Sequence, residues 1–206
     1  FEVCIANDSL RDRTVGKQVV EKFYRSFNIP TEREGWDNIY LIYNLGYRGH
    51  YNSDELLDIL SNVEQHNPHH TLTIGDHCKL CAKNIKNDQR FKDLSCSDRD
   101  ILECAALFHD IGKQFTATFE NKKGEITDIC HYYDHENVGA YNSLFLDDMT
   151  EFTKEQILSI ADLIQLHMKL YSNPESEKYK AKLKRQLGDS LYEMLEILHD
   201  ADKSAK

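Results

Sequence analysis

Residues 105–113, Ala105-Ala106-Leu107-Phe108-His109-Asp110-Ile111-Gly112-Lys113, constrain the fold more than any other stretch. Leu102, Ala105, Ala106 and Phe108 form the stripe expected of a buried helix. Ser97 with Asp100 three residues on is a capping signal at its start, and Gly112 fits its end. The run delivers an imidazole and a carboxylate, side by side, into an apolar setting. Burying them is costly unless both are satisfied, and a divalent metal satisfies both at once. The alternative is a hydrogen-bonded His-Asp pair that only closes a helix.

From Ser53 onward nearly everything has helical period. Leu56, Leu57, Leu60 and Val63 predict a helix that stops before Asn67-Pro68, and Thr73 with Asp76 caps one carrying His77, Leu80, Cys81 and Ile85. Phe115 to Cys130, with Lys122-Lys123-Gly124, reads as a loop or short excursion. His135 then opens a helix through Val138 and Phe145. Thr153 with Gln156 caps another bearing Ile157, Ile160, Ile164 and His167, and Leu191 to Asp202 forms the last. The expectation is a mainly α chain, a helical bundle over residues 53–206.

The first forty-odd residues differ. Phe1 to Ala6 and Asn38 to Tyr43 are strand candidates, Val15 to Phe27 has helical spacing through Val19, Val20, Phe23 and Phe27, and Pro30-Thr31-Glu32 and Gly35-Trp36 mark turns. Two short strands and one helix cannot bury a core alone, so residues 1–44 read as the tail of a larger α/β domain. Asn44 to His50 is a plausible linker (45–52 as a domain boundary). The chain starts at Phe1 without a methionine, which fits a piece of something longer.

Several helices of the bundle place a polar residue where an apolar one belongs. Leu191, Leu195, Leu198 and Asp202 share one face, whereas Asp200 falls with Glu193 and Glu196 on the outer side. His167 continues the stripe of Ile157, Ile160 and Ile164, and His77 lies in line with Leu80, Cys81 and Ile85. Each alone reads more simply as a satisfied core residue. Together they match how a bundle builds a metal site. Neutral imidazole and carboxylate suit Zn, Fe, Mn, Co or Ni and do not choose among them. Lone Cys78-x-x-Cys81, with no second pair, reads as a helical turn rather than a zinc site.

Composition narrows the classes. The chain has 206 residues and a formal net charge of −10, which speaks against a generic basic surface for nucleic acid, although bound cations can reverse the sign locally. Three prolines and nine glycines argue against disorder, and there is no internal repeat or membrane-length apolar run. Six cysteines without secretory features read as reduced thiols, hence a cytoplasmic setting.

His77, then His109-Asp110 with Gly112-Lys113, and the distal Asp202 in Ala201-Asp202-Lys203-Ser204-Ala205 resemble the HD phosphohydrolase superfamily, an all-α fold of metal-dependent phosphatases and phosphodiesterases. The resemblance implies His77, His109, Asp110 and Asp202 as metal ligands, with Asp200 an alternative by a small register shift. Members with two metals add two histidines, here His135, before Val138-Gly139-Ala140, and His167. The cofactor implied is one or two divalent ions among Mn, Fe, Co, Ni, Zn or Mg. A bound cation makes hydroxide available near neutral pH for in-line attack on phosphorus, with Asp110 shared between two ions. Asp110 and Lys113 belong to the catalytic set, Lys113 neutralising a substrate phosphate unless it is an ordinary surface lysine. His131 is a guess for meeting the phosphate or protonating the leaving oxygen. His50, His66, His69, His70 and His199 are assigned surface or structural roles, His70 least firmly.

At the other end, Arg11-Asp12-Arg13, Val15 to Phe27, Pro30-Thr31 and Glu34-Gly35-Trp36-Asp37 are similar to the C-terminal end of P-loop kinases of the polynucleotide-kinase type. That likeness implies Arg11 and Arg13 as holders of ATP phosphates, or else a solvated basic turn. No G-x-x-x-x-G-K-[ST] occurs anywhere, so this chain alone has no phosphate cradle. A kinase-like tail beside a phosphohydrolase resembles the pairing of activities that heals broken RNA ends. A nucleotide or RNA-end phosphoester is thus the expected substrate, with no membrane partner. The alternatives are a free-nucleotide phosphatase and a non-catalytic, metal-stabilised module. Retention of every candidate ligand favours catalysis.

Overall fold

The computed structural model describes residues 1–42, 52–68, 70–172, 174 and 176–205. Its helices are α1 (Glu2–Ser9), α2 (Lys17–Arg25), α3 (Ser53–Leu60), α4 (Ile74–Ile85), α5 (Gln89–Asp93), α6 (Cys96–Phe108), α7 (Lys113–Thr116), α8 (His135–Ser143), α9 (Lys154–Leu166), α10 (Lys169–Ser172), α11 (Glu177–Leu187) and α12 (Asp189–Ser204). One antiparallel hairpin, β1 (Ala117–Glu120) with β2 (Ile126–Tyr132), interrupts them. The expected helical bundle is borne out.

Its core follows from the stripes. Helices α4, α9 and α12 all pack on α6, and α8 packs on α9. Leu102, Ile160, Ile164, Leu195 and Leu198 lie at the centre, fully buried. The Thr73 hydroxyl accepts from the Asp76 N–H to start α4, and Thr153 with Gln156 forms a reciprocal capping box on α9. Each such cap is worth about 1 kcal/mol.

Four local expectations need correction. Helix α6 is capped by Ser95, whose hydroxyl accepts from Asp98 N–H; Ser97 lies inside the helix and its hydroxyl accepts from Gln156 Nε2. Helix α3 ends at Leu60 rather than near Asn67, and Val63 instead fastens the next connection by accepting from Ile74 N–H. The stretch Phe115–Cys130 is mostly the hairpin, registered as Ala117 opposite Tyr132 and Thr118 opposite His131. Its turn is made by Asn121, whose Oδ1 accepts from the N–H groups of Lys123 and Glu125, and by Gly124 at φ +83°, a value glycine adopts without strain.

The fourth correction concerns the N-terminus. Phe1–Ala6 is not a strand, because residues 2–9 form α1; residues 38–42 are irregular, and Tyr43 and the proposed linker up to residue 51 lie outside the described residues, whereas Asn52 caps α3. Helix α2 forms as expected, over Lys17–Arg25, but only part of the expected stripe turns inward. Phe23 is 71% exposed, whereas Tyr24 and Phe27 meet Tyr141 of α8 edge-on with ring centroids 5.4 Å away in both cases. The N-terminal segment thus packs on the bundle.

Asp162 on α9 carries a pH dependence. It is buried, its Oδ1 has no hydrogen-bond partner among the described residues, and burial with Glu34 nearby pushes its carboxyl up to about 8. The unfolded chain releases this proton near pH 4 and the folded chain keeps it to about 8, so stability falls as pH rises through that window. Asp162→Asn is expected to flatten the fall, by roughly 1–3 kcal/mol at pH 8. Thermal unfolding at pH 5 and pH 8 checks this; parallel shifts in both proteins would contradict it.

No helix among the described residues is long and apolar enough to cross a membrane. All six cysteines are free thiols, and Cys78 and Cys81 lie buried within α4.

Candidate metal centre

Helix α6 brings its apolar stripe up to Phe108, and the next two residues, His109 and Asp110, are buried at its C-terminal end. Gly112 follows with φ −64°, so it serves for close approach rather than for a left-handed cap. A Cβ on Gly112 would stand 2.6 Å from Gly139 N and closer still to the His135 carbonyl oxygen. The missing side chain lets the start of α8 lie directly against the His-Asp turn.

That approach assembles two sets of ligand atoms. In the first, His77 Nε2 lies 2.9 Å from Asp202 Oδ1 and 3.2 Å from His109 Nε2, and His109 Nε2 lies 3.6 Å from Asp202 Oδ1. In the second, His135 Nε2 lies 3.2 Å from His167 Nε2, and these two are 3.3 and 3.7 Å from Asp110 Oδ1. The other Asp110 oxygen, Oδ2, faces the first set, 3.4 Å from His77 Nε2 and 3.5 Å from His109 Nε2. All of these side chains are buried.

The backbone fixes which ring nitrogen of each histidine faces the centre. His77 Nδ1 donates to Ala205 O at 2.6 Å, His109 Nδ1 to Ala106 O at 2.9 Å, His135 Nδ1 to Tyr132 O at 2.8 Å, and His167 Nδ1 to Ile164 O at 2.7 Å. A carbonyl only accepts, so each Nδ1 carries a proton and each ring turns its Nε2 inward, the atom that offers a lone pair to a cation. Lone pairs 3.2 Å apart repel unless a cation or an extra proton lies between them. The donor set, imidazole nitrogens with carboxylate oxygens and a backbone carbonyl behind every ring, fits divalent metal ions.

The charges of the cluster are strongly coupled: burial opposes charge on His109, but Asp110 and the bond to Asp202 outweigh it and hold the imidazole well above its usual range. Burial opposes ionisation of Asp110, but Lys113, His109 and His135 outweigh it and hold the carboxyl well below its usual range. His109 and His77 do the same for Asp202. Burial, then His109 and His135, push His167 down to about 3, leaving it neutral as a ligand must be.

Lys113 is no surface lysine: it is buried, with Nζ 2.7 Å from Asp110 Oδ2 and donating to Gln65 Oε1 at 2.8 Å and His70 Nε2 at 3.4 Å. It lines a cleft of about 610 Å³ that opens onto the centre, together with His70, His131, Tyr132, Tyr171 and Lys203. His131 stacks on Tyr133, with 5.2 Å between ring centroids, and shares a 3.3 Å contact with Thr127 Oγ1. Asp200 is exposed, its Oδ2 accepting from Arg90 Nη2 at 2.6 Å, so Asp202 alone of the two faces the histidines.

Arg11 and Arg13 lie outside this centre, both exposed between α1 and α2, with Arg11 Nη1 3.7 Å from Asp8 Oδ1. Among the other histidines, His66 is exposed and His199 packs on Tyr171, whereas His50 and His69 fall outside the described residues. His70 is the correction: it lines the cleft, its ring 5.0 Å from that of His77, and burial and Lys113 push it down to about 4. Tyr171, whose hydroxyl donates to Asp202 Oδ2 at 3.0 Å, and Gln65 were not foreseen from sequence. They come from α10 and a loop and lie in no apolar stripe.

Comparison with known proteins adds one finding. No curated protein matches the chain. The family model described as HD domain matches residues 69–205, a span that takes in both ligand sets and Lys113. The chain therefore belongs to the HD domain family.

Proposed function

We propose that this protein is a metal-dependent phosphohydrolase acting on a phosphomonoester or phosphodiester of a nucleotide or an RNA end. The observation that carries the reading is Asp110, which turns one carboxylate oxygen to each of two buried ligand sets. His77, His109 and Asp202 would hold one divalent ion and His135 and His167 a second, with Asp110 shared. Such ions supply Lewis-acid polarisation of a phosphoryl group and a nucleophile from water near neutral pH.

The chain's own groups supply the rest. Lys113 places its Nζ beside Asp110 at the cleft, where it offsets the charge of a substrate phosphate in a poorly hydrated setting. His131, on the cleft wall and not fully buried, exchanges a proton with the leaving oxygen. Tyr171 orients Asp202. A chain of net charge −10 thus presents Lys113 and Lys203 where an anion would enter.

Three things support the substrate class. HD domains are mostly metal-dependent hydrolases. The cleft is far larger than a bare phosphate needs and has apolar walls at Pro68, Ile129 and Met168. The N-terminal likeness to polynucleotide-type kinases favours a nucleic-acid end, where removal of a 2′,3′-cyclic or terminal phosphate complements 5′ phosphorylation. Arg11 and Arg13 belong to the kinase side of that pairing and take no part in hydrolysis.

Elemental analysis of the purified chain should find about two metal equivalents, and one would remove His135 and His167 from the set. Loaded with Mn²⁺, Co²⁺ or Ni²⁺, the protein should hydrolyse bis-p-nitrophenyl phosphate, lose that activity to a chelator and regain it with metal. Comparing an RNA 2′,3′-cyclic phosphate with free nucleotides assigns the substrate. A metal-loaded sample inert toward monoesters and diesters alike would point to a non-catalytic module.

A further inference from the structure

The N-terminal segment does not touch the bundle at random. Arg25 Nη1 donates to Tyr133 O at 3.2 Å, and Asn137 Nδ2 returns a bond to Arg25 O at 2.9 Å. Gln165, buried on α9, accepts from Ile29 N–H at 3.0 Å and donates to Phe27 O at 2.8 Å and Asn137 Oδ1 at 3.1 Å. Tyr133 and Asn137 stand two residues either side of His135, and Gln165 stands two residues before His167. Residues 25–29 therefore tie together the flanks of the two histidines of one ligand set. Between Tyr133 and His135 the backbone passes through Asp134 at φ +61°, a left-handed conformation that needs outside support.

The other set is held differently. His77, His109 and Asp202 come from α4, the end of α6 and α12, which pack on one another. The segment meets these helices far from their ligands: Thr31 shares a pocket with Ile101 of α6 and Met194 of α12, each about two turns before the ligand its helix carries, and the Arg33 guanidinium covers Gly188 at the start of α12, the end opposite Asp202.

We propose that residues 25–29 are positioning residues for one half of the metal centre: they set the affinity of the His135–His167 half and leave the His77–His109–Asp202 half alone. The N-terminal segment is then a control element for the second ion, through which its docking on α8 and α9 is coupled to the chemistry. This inference rests on the two-ion reading above.

The test is Mn²⁺ uptake by the whole chain, measured by equilibrium dialysis. Wild type should fill in two steps, and the step that His135→Ala abolishes identifies the half in question. Arg25→Ala and Gln165→Leu should each weaken that step by about tenfold, the lower end of the range for groups supporting metal ligands, and leave the other within twofold. Arg33→Ala, which cuts the segment's contact at Gly188, should leave both steps unchanged. Equal weakening of both steps, no weakening of either, or the same selective loss in Arg33→Ala would overturn the proposal while leaving the two-ion reading intact. A single step in wild type would overturn both.

Discussion

Replacing Asp110 by alanine is expected to abolish hydrolysis of bis-p-nitrophenyl phosphate, by roughly three orders of magnitude or more, which corresponds to at least ~4 kcal/mol of transition-state stabilisation. The loss has two parts. The His135–His167 half keeps only two ligands once Oδ1 is gone, whereas the other half keeps His77, His109 and Asp202, so metal content should fall from about two equivalents to about one. In addition Lys113 loses the carboxylate 2.7 Å from its Nζ and keeps only the neutral partners Gln65 and His70. Breaking a buried pair from one side costs about 3–5 kcal/mol, so the variant should also unfold earlier. Asp110→Asn separates these effects: its size is kept, one acceptor survives, and the amide cannot serve both sets as an acceptor. Full activity in Asp110→Asn with two equivalents of metal would refute the shared role.

Gly112→Ala should be the most damaging single-methyl change in the chain. The new Cβ meets backbone on both sides, Gly139 N and the His135 carbonyl, and backbone cannot rotate away as a flexible side chain can. Overpacking of this kind costs about 3 kcal/mol or more, the upper part of the usual range, or roughly 6–12 °C in Tm for a protein of this size. The same methyl pushes the start of α8 away from Asp110, whose Oδ1 lies 3.3 Å from His135 Nε2. Metal content should therefore fall along with Tm, as it would not for overpacking elsewhere. A variant with unchanged Tm and metal content would show that the approach of α8 is looser than described.

Residues in periodic stripes are legible in the sequence. His77, His167 and Asp202 each replace an apolar residue on an inward face, and the structure brings all three inward. The cap of α6 is ambiguous because the sequence offers the same signal twice, Ser95 with Asp98 and Ser97 with Asp100, and only packing chooses between them. Phe1, Val3 and Ile5 alternate as a strand would, yet no partner strand exists among the described residues and the short run closes into α1. The hairpin went unrecognised because its turn depends on the Asn121 side chain and the positive φ of Gly124, not on the shortest turn dipeptides. His70 and Tyr171 reach the cleft, and Gln65 reaches Lys113, from segments without an apolar stripe, so spacing carries no trace of them.

Every inward histidine of the centre hangs from a main-chain oxygen, not from another side chain. No single substitution can therefore re-aim one of these rings by deleting its support, since the carbonyl remains whatever residue bears it. Directed evolution toward a different ion would have to exchange a ligand outright or displace a whole helix end, so metal preference here should drift slowly and change in jumps.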